Sequence, residues 1–142
     1  MIRFANEIDA LDLKKLNDRF NGISNISIDE IKESLKINKQ ELVFVYEVNN
    51  KVIAFLSMQI KKSFCYEDVI CEISELYVEE EYRNQGIATK LIKFSENYAL
   101  NNYVVQKFEL LTGKDNLKAQ SLYKKLNYID DEEMYFSKLI DK

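Results

Sequence analysis

The stretch Tyr82 to Leu91, YRNQGIATKL, follows the strand-like run CEISELYV and leads into an amphipathic segment. Gly86 is one of only three glycines in the chain. It stands where a strand ends and a helix begins, and with no Cβ it accepts φ > 0 or the close approach of another group. The N-terminus of a helix leaves about four N–H groups without partners, and the helix dipole adds partial positive charge there. Gly86 and Ala88 are small, so a diphosphate can settle against the amides of such a turn, with the Thr89 hydroxyl close by. The same residues also suit a plain tight turn. The loop is neither a Walker loop, lacking Gly-Lys-Ser/Thr, nor a Rossmann fingerprint, having a single glycine late in the chain.

The rest of the composition narrows the chemistry. The chain has 142 residues, no histidine and two cysteines, Cys65 and Cys71, which form no CxxC. The usual general base and the commonest metal ligand are therefore missing, and no metal is expected. Chemistry must rest on carboxylates, tyrosine, backbone amides or a bound cosubstrate. Hydrophobic residues make up 46% and charged residues 31%, a globular profile for one domain over 1–142. The net charge of −4 argues against nucleic acid and leaves room for a cationic substrate. With no long apolar run and no signal core, neither a membrane partner nor export is expected, and a cytoplasmic location is.

The elements that must position the loop can be read in order. MIRFA suits a first strand. Asn6 caps a helix through EIDALDLKKLNDRF, with Ile8, Leu11, Leu16 and Phe20 near one face, and Asn21-Gly22 ends it. Ser27 and Glu30 form a capping box for IDEIKESLKI. ELVFVYEV and KVIAFLSMQI flank Asn49-Asn50 as a hairpin. VICEISELYV is a strand. A helix then runs from Gly86 to about Leu100, followed by the strand QKFELLT. Asp115 or Asn116 starts a helix through LKAQSLYKKL, stopped by Asn127, and EEMYFSKLI is expected to close as a strand. The order is β-α-α-β-β-β-α-β-α-β. The βαβ unit around Gly86 makes its two strands parallel and the rest mostly antiparallel, an α+β domain with a mixed sheet.

Two blocks, ISELYVEEEYRNQGIATKLI and NLKAQSLYKKLNY, lie in this order about thirty residues apart. Together they resemble the GNAT superfamily of acetyl-CoA-dependent N-acetyltransferases. That family shows a strand I-x-x-L-x-V, then R/Q-x-x-G-x-G/A at a helix head, then an Asn and A-x-x-L/F-Y-x-K-x-G-F/Y. The glycine of the last motif is Asn127 here, and the proline often found after the valine is replaced by Glu79 and Glu80.

The resemblance implies a GNAT-like α/β/α fold with a splayed parallel strand pair and acetyl-CoA as cosubstrate. The diphosphate would lie on the amides of Arg83, Asn84, Gln85, Gly86, Ile87 and Ala88, with Thr89 nearby. The Arg83 side chain would shape the loop or meet a phosphate. Leu76, Tyr77 and Val78 would pair with the pantetheine arm, an amide near Tyr77 serving as oxyanion donor. Asn116 matches a cofactor-contacting Asn and is equally a helix N-cap. Tyr123 matches the tyrosine general acid at the departing thiol. Glu75 is the first candidate for taking the amine proton. Glu72 is the second, though three residues away on a strand of period two it is expected on the other face. Acid in EIDALD and DDEEMYF would attract a cationic amine. The end YKKLNYIDDEEMYF, with EYRNQGIATKLI, looks somewhat like GNAT-type aminoglycoside 3-N-acetyltransferases. The acceptor would be the primary amine of a small polyamine- or aminoglycoside-like molecule. Alternatives are a protein or peptide amine, or a non-catalytic acyl-CoA-binding module. The family often pairs through a C-terminal strand, which would make a homodimer.

Overall fold

The computed structural model describes residues 1–141. Contacts group the chain into two compact units, Met1–Leu111 and the segment from Thr112 onward.

In the first unit, strands β1 (Ile2–Phe4), β2 (Glu41–Val48), β3 (Lys51–Lys62), β4 (Val69–Val78) and β5 (Val105–Leu110) form one sheet in the order β1-β2-β3-β4-β5. All neighbours pair antiparallel except β4 and β5, which are parallel. The Asn49-Asn50 turn joins β2 to β3 with both residues left-handed, at φ 50° and 63°. A two-residue hairpin needs that conformation, and asparagine tolerates it.

Successive side chains on a strand face opposite ways, so Phe44 and Val45 mark the two faces. Val45, Val52 and Phe55 pack with Leu13 and Leu16 of α1 (Ala10–Asn21), with Ile31 and Leu35 of α2 (Ile28–Ile37) beside them. On the other side, Phe44 meets Phe94 and Tyr98 of α3 (Ile87–Asn102) at ring-centroid distances of 5.5 and 5.8 Å. Ile87, Leu91, Ile92, Ser95 and Ala99 are the buried residues of α3. Burial of a side chain the size of Phe44 contributes up to about 3 kcal/mol. This is the α+β class and mixed sheet expected, with helices on both faces.

Local signals account for most boundaries. Asn6 accepts from the Ile8 amide and forms a capping box with Asp9, opening a 3-10 turn (Glu7–Asp9) that continues into α1. Ser27 and Glu30 form the capping box of α2, and Gly22, at φ 86°, ends α1. The buried face of α1 differs from the one expected. Ala10, Leu13 and Leu16 are buried, whereas Ile8 is 90% exposed and Leu11 and Phe20 are partly so. The 3-10 turn puts Ile8 outside the α-helical period that the pattern assumed.

The second unit holds α4 (Leu117–Lys125), capped by Asn116 and followed by Asn127 at φ 71°. The strand expected over EEMYFSKLI does not form. Glu132 sits at φ 63°, and the amides of Glu132 and Glu133 are taken by the side chains of Asp130 and Asp131. Those side chains offer the backbone a local alternative to a ladder.

Candidate active site

Strand β4 is made of two unlike halves. From Val69 to Ile73 it pairs with β3 on one edge and β5 on the other. The β5 pairing ends at Ile73↔Leu110, so Ser74–Val78 is paired on its β3 edge only. This is the splayed parallel pair: one edge of the backbone around Leu76, Tyr77 and Val78 is left without a strand partner in the sheet.

A bulge separates the halves. Ser57 lies opposite Glu75 and Met58 opposite Ile73, which makes Ser74 the extra residue. A bulge resets the alternation of a strand. Directly paired residues share a face, so Glu75 shares one with Ser57 and Glu72 shares one with Gln59. Ser57 and Gln59 are two apart on β3, so both glutamates face the α1/α2 side of the sheet. The expectation that Glu72 falls on the other face is thereby corrected. Glu72 pairs with Lys61 at 3.3 Å, and Lys61 also reaches Glu109 at 3.1 Å. Burial works against the Lys61 charge, but the contacts with Glu109 and Glu72 outweigh it and raise its pKa. The half-buried Glu75 carboxylate makes no hydrogen bond or ion pair among the described residues.

Beyond Val78 the chain is tied down from Glu79 to Arg83 before it reaches the loop. The Glu79 amide donates to Ile53 O at 2.9 Å, and the Glu79 carboxylate pairs with Arg19 of α1. A 3-10 turn (Glu80–Tyr82) follows, and the Arg83 amide donates to Glu80 O at 3.2 Å. Arg83 folds back, its Nε donating to Val78 O at 2.8 Å and its guanidinium lying 5.4 Å from the Tyr77 ring centroid. Tyr77 itself packs on Phe20 at 5.3 Å.

Asn84 and Gly86 are then both left-handed, at φ 62° and 79°. The first helical bond of α3 runs from the Lys90 amide to Gly86 O at 3.0 Å, and Gly86 offers no side-chain cap. The amides of Asn84, Gln85, Gly86, Ile87, Ala88 and Thr89 have no acceptor among the described residues. The Ile87 side chain, 4% exposed, anchors the helix in the core. A Cβ on Gly86 would meet no protein atom within 4 Å, so the loop needs glycine for its φ, and its outer side is open. This arrangement fits a diphosphate, and the unpaired β4 edge fits an extended amide-bearing arm.

Sequence reasoning missed a polar group at the middle of the same sheet. Ser57, 3% exposed in the centre of β3, donates to Glu41 Oε2 on β2 at 2.6 Å. Gln59 Nε2 donates to the same oxygen at 3.3 Å, and Ser74 of the bulge donates to Ser57. Only the strand register brings these residues together. The acid expected near the N-terminus is mostly committed elsewhere. Asp9 is bound bidentately by Arg3, and Asp12 accepts from the Val52 amide at 3.1 Å.

In the second unit, Asn116 Oδ1 accepts from the Ala119 amide at 3.2 Å, the helix-cap role. Tyr123 is half-buried, its ring edge-on to Tyr128 at 6.0 Å, and burial pushes its phenol above the ordinary tyrosine value. Among the described residues no group of three or more carboxylates and cysteines is placed to hold a metal ion. Nor is any helix among them long and apolar enough to cross a membrane.

The sequence profile of the acetyltransferase (GNAT) family matches residues 12–128, and the chain belongs to that family. It is an acyl-CoA-dependent N-acetyltransferase. A curated relative, the N-alpha-acetyltransferase of Saccharolobus solfataricus, is 27% identical, the match covering 75% of this chain and 78% of that one. The fold is shared with solved structures. One is an aminoglycoside acetyltransferase, meta-AAC0020, from an uncultured soil metagenomic sample (TM-score 0.85, 20% identity, 99% of this chain and 96% of that chain). Another is the ribosomal-protein-alanine N-acetyltransferase of Brucella melitensis biovar Abortus 2308 (TM-score 0.80, 17% identity, 98% and 99%). A third is AAC(6')-Iy in complex with a bisubstrate analogue, CoA-S-monomethyl-acetylneamine (TM-score 0.84, 17% identity, 99% and 98%).

Proposed function

We propose that the chain acts as one acetyltransferase domain that moves the acetyl group of acetyl-CoA to a primary amine of a small cationic molecule. The observation that carries this is the one-sided edge of Leu76–Val78, which leads through the Arg83 turn into the free amides of Asn84–Thr89. The bound coenzyme supplies an activated thioester. The β4 edge and the loop amides hold and aim it, with an amide near Tyr77 facing the charge that develops on the carbonyl oxygen. Tyr123 supplies an O–H to the departing sulfur. A cysteine-like thiol near pKa 8.5 leaves proton transfer from an ordinary tyrosine uphill by roughly 2 kcal/mol. Burial raises the Tyr123 phenol further, so it acts mainly as a hydrogen-bond donor.

The acceptor must shed a proton. A lysine-like amine is neutral in only about one molecule in 10³ at pH 7. Glu75, unpaired and half-buried on the polar end of the α1/α2 face, is the base nearest the reacting edge, with Glu72 beside it on the same face. Carboxylates there favour a cation. A peptide N-terminus is the second reading, supported by the alpha-amino acetyltransferase relative.

The test is a panel of amines, spermidine, an aminoglycoside and an alanine-ended peptide, with released CoA thiol as the signal. Acetylation of the small amines is expected. Turnover of the peptide alone would move the assignment to the second reading, and coenzyme binding without turnover of any amine would end both. Tyr123→Phe is expected to lower kcat by about 10²-fold while acetyl-CoA affinity holds, as calorimetry would show. An unchanged kcat would remove Tyr123 from the chemistry.

A further inference from the structure

We propose that Ser74, Ser57 and Glu41 form a hydrogen-bonded relay that carries the acceptor's second proton, the one released as the nitrogen bonds to the acetyl carbon, from the β4 bulge into the sheet. This rests on the reading that the amine meets β4 beside Glu75.

The direction of the relay follows from counting donors. A serine hydroxyl has one proton to give and two lone pairs to receive. The Ser57 proton goes to Glu41 Oε2 at 2.6 Å, the short distance of a charge-assisted bond. Ser57 Oγ can therefore only receive from Ser74, whose Oγ lies 3.2 Å away. The Ser74 proton is shared with the Ser57 carbonyl oxygen at 3.3 Å, so it too points inward. Ser74 is exposed and Ser57 is 3% exposed, so Ser74 is the end open to an incoming N–H, with lone pairs left to accept it.

Glu75 takes the first proton of the ammonium and frees its lone pair; when the amine nitrogen then attacks, a second N–H proton passes to Ser74 Oγ. The Ser74 proton passes to Ser57 Oγ, and the Ser57 proton to Glu41 Oε2. In this second transfer one N–H bond breaks, one carboxyl O–H bond forms, and each serine keeps one proton. After the amide leaves, the same steps run backwards to water. Glu41 and Ser57 act through Ser74 and are positioning residues. Gln59 Nε2, 3.3 Å from the same carboxylate oxygen, holds Glu41 in place.

A purely structural reading, in which the serines only pin the bulge, makes different predictions. With spermidine as acceptor, Ser74→Ala, Ser57→Ala and Glu41→Gln are each expected to lower kcat about tenfold while KM changes by less than about twofold. The double variant Ser57→Ala/Glu41→Gln should lose no more than the worse single one, because a relay fails as a unit. Ser74→Thr, which keeps the hydroxyl, should return kcat to within about threefold of the parent. In the coenzyme-free protein, proton NMR should show a slowly exchanging downfield hydroxyl that vanishes in both Ser57→Ala and Glu41→Gln. Thermal melts and acetyl-CoA affinity identify variants that are merely misfolded. A folded Glu41→Gln or Ser74→Ala with parental kcat overturns the relay, as does a double variant whose losses multiply. If spermidine is untouched while an alanine-ended peptide is acetylated, the small-amine reading fails. The same variants read on that peptide then decide the relay by the same criteria.

Discussion

The two halves of β4 share one strand and one sheet but do different work. Val69–Ile73 is bonded on both edges and contributes Val69, Cys71 and Ile73 to the core. Ser74–Val78 is bonded on one edge, and its residues are half-buried or exposed. The bulge at Ser74 is the boundary. Core residues are concentrated where the ladder is complete, and the coenzyme site is proposed where it is left open.

Cutting each half in turn should separate the two roles. Ile73→Ala, at a position 5% exposed, should cost about 3 kcal/mol of unfolding free energy in urea while leaving acetyl-CoA affinity within about twofold. A comparable loss of affinity would erase the distinction between the halves. Gly86→Val should weaken acetyl-CoA binding about 30-fold by calorimetry, since a β-branched residue at φ 79° is strained and projects where the diphosphate is proposed to lie. Unchanged binding would place the phosphates elsewhere. Glu75→Gln should lower kcat about tenfold for a cationic amine while changing stability by less than about 0.5 kcal/mol. Smallest of all, Arg19→Ala, which removes the exposed tie from α1 to Glu79, should cost at most about 1 kcal/mol and change coenzyme affinity less than about threefold. A larger effect would mean that α1 helps to set the loop.

Signals carried by neighbouring residues were legible in the sequence. Asn6, Ser27, Gly22, Asn49-Asn50, Gly86, Asn116 and Asn127 each do the capping or turning their residue types suggest. What depended on register was not legible. Nothing in CEISELYV announces a bulge, so the strand period put Glu72 and Glu75 on opposite faces. Glu41 and Ser57 are sixteen residues apart and became a pair only through the β2–β3 ladder. The closing strand failed for a local reason: EEMYFSKLI alternates well enough, but Asp130 and Asp131 draw its first amides into turns. Tyr123 stood out only because of the motif around it, in a chain with nine tyrosines.

The irregularities along β3 have one more effect. Its pairing steps out of phase with β2 between Tyr46 and Glu47 and with β4 between Ser57 and Met58. A strand notched on both sides works like a key. Sliding it by one residue would drive Ser57, Gln59 and Lys61 into the packed aromatic layer beneath α3. Misaligned assemblies of this sheet therefore carry a built-in penalty, and the chain has a single alignment in which to settle.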